Sequence, residues 1–142
     1  MGANGLIFVY GTLMRGGENH RKLAAHKVRF VGEGKIKGRL FHIRGESYPG
    51  AAPTSSRTYI QGELYELNSP DKALKKLDQF EETNEGLFVR KLADVWVGRQ
   101  KFKAWTYFYP GRKNRASNIA SGRFRVRSAA RKKPAKRSGK IE

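Results

Sequence analysis

The chain has no cysteine. Disulfides, thiolate nucleophiles and thiolate metal ligands are therefore excluded. It has only 3 histidines, and His20, His26 and His42 fit no metal-ligand spacing. No apolar run approaches the roughly 20 residues that span a bilayer. The first such run, residues 6–10, is too short for a secretory signal core. Met1-Gly2 opens like a myristoylation site, but Leu6 stands where Ser or Thr is required. The phosphate-cradling spacings Gly-x-x-x-x-Gly-Lys-Ser/Thr and Gly-x-Gly-x-x-Gly are both missing. These absences lead to an expectation of a cytoplasmic protein without a membrane span.

Acidic residues are also scarce, 12 against 30 basic ones, for a net charge of +18. The imbalance is uneven. Residues 1–110 hold 18 basic and 11 acidic residues, whereas residues 111–142 hold 12 basic residues and only Glu142. The excess thus belongs mainly to the last quarter of the chain. From Ala129 onward almost nothing can be buried, so residues 125–142 are expected to form a basic, disordered tail. Arg131-Lys132-Lys133 and Lys136-Arg137 suit a nucleic acid, an anionic membrane or an acidic partner, bound by counterion release. A merely solubilising end explains them equally well.

What is plentiful is aromatic: 8 Phe, 6 Tyr and 2 Trp, gathered in short β-like runs. A length of 142 residues suits one domain with a single core. Residues 6–10 read as a buried strand. A short helix is expected over 19–26, and strands over 28–31 and 35–43, separated by Gly32 and Gly34. Residues 47–53 read as a turn-rich loop. Another strand is expected over 58–67, followed by the clearest helix. Ser69 suits its N-cap, Pro70 its first position and Asp71 its positive end. Ala73, Leu74, Leu77 and Phe80 form one apolar stripe. Strands over 88–97 and 100–109 flank Gly98-Arg99, which suits a hairpin turn. The pattern predicts five or six strands with one or two helices inserted among them, an α+β or small β-barrel arrangement without regular βαβ alternation.

One carboxylate breaks the helix pattern. At 100° per residue Glu81 falls about 50° from the centre of the apolar stripe, and Glu82 about 150° away. Glu81 thus extends the buried face at the helix C-terminus. Burial and the helix dipole there both push a carboxyl pKa up, toward the range a general acid/base needs. On geometry alone the alternative stays open: a solvated Glu81, or one paired with Arg90.

The second feature is Tyr10-Gly11-Thr12-Leu13, directly after the first strand. Glycine permits a sharp turn and close approach of a ligand. Successive N–H groups in such a turn can cradle a carboxylate or oxyanion.

Phe8-Val9-Tyr10-Gly11-Thr12-Leu13, with Arg15-Gly16 and Asn19-His20, resembles the opening of the gamma-glutamylcyclotransferase-like family, especially its gamma-glutamylamine cyclotransferase branch. Tyr48-Pro49-Gly50-Ala51, Gly62-Glu63-Leu64-Tyr65, Leu77-Asp78-Gln79-Phe80-Glu81, residues 104–109 and Ser121-Gly122 are similar to its later motifs, in order. The resemblance implies an α+β fold, a small mixed β-barrel of five to six strands with one to three packed helices over residues 1–124, and an enzyme that releases 5-oxoproline and a free amine from a small gamma-glutamyl compound. It implies Glu81 as general acid/base, a substrate site lined by Tyr10, Gly11, Thr12 and Leu13, and no metal or cofactor. Two positions depart from the family pattern: Phe88 stands where many relatives have Tyr, and Arg123-Phe124 where an acidic residue and Trp are usual. The competing expectation is a non-catalytic binding protein on the same scaffold, associated with nucleic acid through the tail.

Overall fold

The computed structural model describes residues 5–43, 48–54, 57–82, 88–110 and 118–125, except the side chains of Glu81 and Glu82. Strand β1 (Leu6–Val9) leads through the glycine turn to α1 (His20–Ala24). Then follow β2 (Arg29–Lys37), β3 (Arg39–His42), β4 (Pro49–Ala52) and β5 (Tyr59–Glu66). Helix α2 (Pro70–Glu82), the hairpin β6 (Val89–Val97) and β7 (Gln100–Phe108), and a short β8 (Asn118–Ile119) complete the order.

Five strands close a barrel in the order β1-β5-β2-β6-β7, and β4-β3-β8 form a separate three-stranded sheet. Strand β1 runs antiparallel to β5 from Leu6↔Glu66 to Val9↔Glu63. The barrel closes where β1 meets β7 in parallel, at Ile7↔Trp105. The β6–β7 turn has the expected glycine, with Gly98 at φ 61°.

Strand alternation sorts the apolar residues into two cores. Phe8, Ile36, Ile60, Leu64, Val95 and Ala104 fill the barrel. Ile7, Val9 and Tyr65 point outward, where Leu23 of α1 and Leu74 and Leu77 of α2 cover them. Strand β1 is buried on both faces, which is why its sequence is a continuous apolar run. The stripe expected on α2 is the covering face: Ala73, Leu74 and Leu77 are all buried.

Two expectations are corrected. Gly32 and Gly34 do not separate two strands. Strand β2 runs through both, with a register shift between Phe30 and Gly32. They sit where other chain segments come close: a Cβ on Gly32 would lie 2.8 Å from Val97 Cγ1, and one on Gly34 2.9 Å from the Trp96 carbonyl. The break falls instead at Gly38, whose N–H turns to the Thr58 carbonyl at 2.9 Å. Residues 49–52, expected as loop, form β4 and pair with β3 through Leu40↔Ala51. Their small side chains serve tight packing, since a Cβ on Gly50 would meet Tyr109 Cβ at 2.9 Å. Residues 123–125 form no strand. The expected disordered tail, from residue 126, lies outside the described residues.

Inside the barrel, Gly62 makes room for the ring of Phe8. A Cβ there would collide with the Val9 carbonyl oxygen and lie 2.6 Å from Phe8 Cζ. Gly62→Ala should therefore destabilise the barrel by about 1–3 kcal/mol, the range typical of overpacking. Urea unfolding of the two proteins measures the difference, and equal midpoints would contradict this account.

Candidate functional site

The first strand ends in a tightly tied turn. Four consecutive carbonyls accept hydrogen bonds from within the protein. The Met14 N–H donates to Gly11 O (3.0 Å), Asn19 N–H to Thr12 O (3.0 Å) and Gly17 N–H to Met14 O (2.8 Å). His20 Nδ1 lies 2.8 Å from Leu13 O, so that nitrogen bears a proton and donates to the carbonyl. The Asn19 side-chain amide donates to Thr12 Oγ1 at 3.0 Å. The Asn-His pair thus holds the turn. None of these bonds uses the N–H groups of Thr12 or Leu13.

Glu63 anchors the far end of the turn. Its carboxylate accepts the Arg15 N–H at 2.9 Å and the Tyr65 hydroxyl at 2.9 Å, and Arg15 Nε lies 3.4 Å away. Burial, and then the hydrogen bond to Glu63, push the Tyr65 hydroxyl pKa well above its usual value. Sequence reasoning missed this role. Period-2 alternation puts Glu63 on the outer face of β5, where a carboxylate reads as solvated. The signal available was its place between Gln61 and Tyr65 on that face, but the covering loop is visible only in three dimensions.

A pocket of about 280 Å³ opens beside the turn. Tyr10, Gly11, Thr12 and Leu13, the expected binding residues, all line it. Across from them stand Tyr48 and Pro49, Phe80 of α2, Phe88 and Tyr107, with Glu18 and Asn19 also lining it. Gly11 makes room partly for protein: a Cβ there would lie 3.0 Å from Pro49 Cδ. Tyr48 and Tyr107 pack with the outer core as well as lining the pocket. Phe88 is buried, its ring 5.9 Å from Tyr48 and 5.9 Å from Tyr109. Helix α2 carries Glu81 directly after Phe80; the side chain of Glu81 lies outside the described residues. Among the described residues no group of three potential metal ligands occurs, and no helix is long and apolar enough to cross a membrane.

The open question about Arg90 is partly answered. Its guanidinium forms a two-pronged pair with Asp78, through Nε at 2.8 Å and Nη2 at 2.9 Å. Arg90 also stacks 4.3 Å from the centre of the Trp105 ring. The Tyr107 hydroxyl donates to the same carboxylate at 2.6 Å, and the Tyr107 carbonyl accepts the Tyr10 hydroxyl at 2.6 Å. A chain of contacts therefore runs from the glycine turn through Tyr107 to α2. Burial raises the Asp78 pKa, but the hydrogen bonds from Arg90 and Tyr107 and the Arg90 charge outweigh it. The carboxyl is held below its usual range. The Asp78 hydrogen bond likewise holds the Arg90 pKa above its usual value.

A lowered folded-state pKa means that Asp78 stabilises the fold above the ordinary carboxylate pKa, about 3.9. That stability is lost as pH falls through the lower folded value. Asp78→Asn should cost about 1–2 kcal/mol at pH 7, after discounting for partial exposure. The gap to wild type should shrink below about pH 4. Urea unfolding across pH tests this; a gap that stays constant in acid would contradict it.

Comparison with known proteins agrees with this architecture. The family model described as gamma-glutamyl cyclotransferase, AIG2-like, matches residues 7–126. The chain is 30% identical over 104 residues to MJ1514 of Methanocaldococcus jannaschii, which carries a provisional gamma-glutamylcyclotransferase name; the match covers 73% of this chain and 83% of that protein. It is 32% identical over 108 residues to the gamma-L-glutamyl-butirosin B gamma-glutamyl cyclotransferase of Niallia circulans, covering 72% of this chain and 65% of that one. Among solved structures, YkqA of Bacillus subtilis superposes with a TM-score of 0.68 at 29% identity, over 85% of this chain and 39% of YkqA. The barrel, its covering helix and the match across residues 7–126 together carry one conclusion: this chain belongs to the gamma-glutamyl cyclotransferase, AIG2-like family.

Proposed function

We propose that the protein is a cyclotransferase that converts a gamma-glutamyl amine into 5-oxoproline and the free amine. The observation that carries this reading is the pocket. One wall is a turn whose carbonyls are drawn into internal hydrogen bonds, and the other includes Phe80 of α2, the residue before Glu81 in the chain.

The reaction is an internal substitution. The substrate's α-amine nitrogen attacks its γ-carbonyl carbon, closing a five-membered ring. The bond from that carbon to the leaving nitrogen then breaks. Glu81 takes the proton released by the α-amine and delivers one to the leaving nitrogen, so no water is consumed and protons balance. Attack places negative charge on the carbonyl oxygen. The N–H groups of Thr12 and Leu13 are donors suited to that oxygen or to the substrate carboxylate. An extended gamma-glutamyl chain must fold back before it can react. A pocket that holds it folded supplies that entropy in advance, a term that reaches several kcal/mol in oriented reactions.

The identity of the leaving amine follows the same reasoning only in outline. Phe80, Phe88 and Tyr48 give the pocket an aromatic wall, and Glu18 lies at its lining. The Niallia relative acts, by its name, on a gamma-glutamyl derivative of butirosin B, so amines larger than an amino acid belong among the trial substrates.

The test is 5-oxoproline release from gamma-glutamyl-ε-lysine, gamma-glutamyl dipeptides, glutathione and a gamma-glutamylated aminoglycoside. Wild type should turn over at least one. Glu81→Gln should lower kcat by roughly 10²–10⁴-fold, the usual worth of a general acid/base, with the fold intact by circular dichroism. A folded wild type inactive on the whole panel, or an undiminished Glu81→Gln, would sink the proposal.

A further inference from the structure

We propose that Glu63 is the positioning residue of the substrate-binding turn: by accepting hydrogen bonds under the loop it fixes the direction in which the N–H groups of Thr12 and Leu13 point. This rests on the reading of those N–H groups as donors to the substrate. Burial supplies the first argument. Among the described residues, Glu63 is the only charged side chain that is buried. A carboxylate taken out of water costs free energy that its bonds must offset, and an apolar side chain would fill the same place without that cost. The bonds it makes are therefore where its use lies.

Those bonds close the turn on a single residue. The backbone of Glu63 pairs with Val9, at the start of the turn. Its Oε1 accepts the N–H of Arg15 at 2.9 Å, at the far end. Residues 10–14 are thus tied at both ends to one position of β5, and Thr12 and Leu13 lie between the ties. A second route reaches the same place. The Tyr65 hydroxyl donates to the same Oε1 at 2.9 Å, and burial, then that bond, raise its pKa, so it stays a donor at working pH. The Tyr65 ring lies 6.0 Å from the ring of His20, and His20 holds the Leu13 carbonyl at 2.8 Å.

The acceptor matters here and the charge does not. The cation nearest the carboxylate is Arg15, whose Nε is 3.4 Å from Oε2 and whose side chain is 52% exposed. Its guanidinium rests 4.1 Å above the centre of the Phe30 ring. An ion pair so exposed is worth little. Both short bonds fall on Oε1, and a glutamine carbonyl oxygen can accept the same two donors. Glu63→Gln should therefore keep the turn in place, and Glu63→Ala should release it.

The test follows the turn directly by nitrogen-15 relaxation in the full-length protein. Rigid backbone gives order parameters of about 0.85 and flexible backbone below about 0.6. In wild type and Glu63→Gln the amides of Thr12 and Leu13 should sit near the rigid value. In Glu63→Ala they should fall toward the flexible one, while the amides of β7 and α2 stay unchanged. If Glu63→Ala does not fold, Glu63→Leu takes its place, since it fills the site but offers no acceptor. In turnover of whichever gamma-glutamyl substrate wild type accepts, Glu63→Ala should lower kcat/KM by roughly 10–10²-fold, the cost of displacing a positioning group by about an ångström. Glu63→Gln should recover most of that loss. Equal order parameters in wild type and Glu63→Ala would overturn the proposal. So would a Glu63→Gln as loose as Glu63→Ala, a loosening spread evenly over β7 and α2, or a loosened turn with undiminished kcat/KM. A turn that loosens only in Glu63→Ala, in a protein that turns over no substrate, would keep Glu63 as the anchor of the turn and reject the cyclotransferase reading.

Discussion

The outward apolar face of β1 and its neighbours has to be kept from water, and α2 is what covers it. Ile7 and Val9 cannot turn inward, because Phe8 already occupies the barrel. Burying a large aliphatic side chain contributes roughly 1.5–3 kcal/mol, so the helix is held by its apolar stripe wherever that face is. Everything at the end of α2 inherits this position. Phe80 reaches the pocket and Asp78 reaches Arg90 because Leu74 and Leu77 are seated on the strands.

The glycine turn is held by a different kind of force. Its four carbonyls accept internal hydrogen bonds, and Glu63 takes the N–H of Arg15. Buried backbone groups left unpaired are costly, so the turn has little freedom to reorganise. A binding loop fixed before its ligand arrives loses less entropy when it binds. The same economy applies across the pocket. Tyr10 and Tyr107 each donate a hydroxyl hydrogen bond into the protein while lending a surface to the pocket.

Much of this was readable in the chain. The double burial of β1 shows as an unbroken apolar run, and α2 shows as Ser69-Pro70-Asp71 followed by a stripe. The β6–β7 hairpin is announced by Gly98 between two alternating segments. Local signals failed where a small residue served distant packing. Gly32, Gly34 and Gly50 read as breakers because glycine usually loosens a chain; here each admits a neighbour from another strand. The role of Glu63 was not legible, because alternation tells which face a side chain takes but not what lies over that face. The partner of Asp78 is 12 residues away on β6, beyond anything helical spacing can indicate.

By itself the sequence determined the elements with strong periodicity and the apolar faces they would bury. Those follow from short-range physics: 3.6- and 2-residue repeats, caps and the conformational range of glycine. Only the tertiary structure decided which carbonyls of the turn are occupied, that Tyr48 and Tyr107 share the pocket with Tyr10–Leu13, and that Arg90 belongs to Asp78. The reason is range. Asp78 and Arg90 lie 12 residues apart on different elements, and their meeting depends on the rotation of α2 against the barrel, which the packing of Leu74 and Leu77 sets.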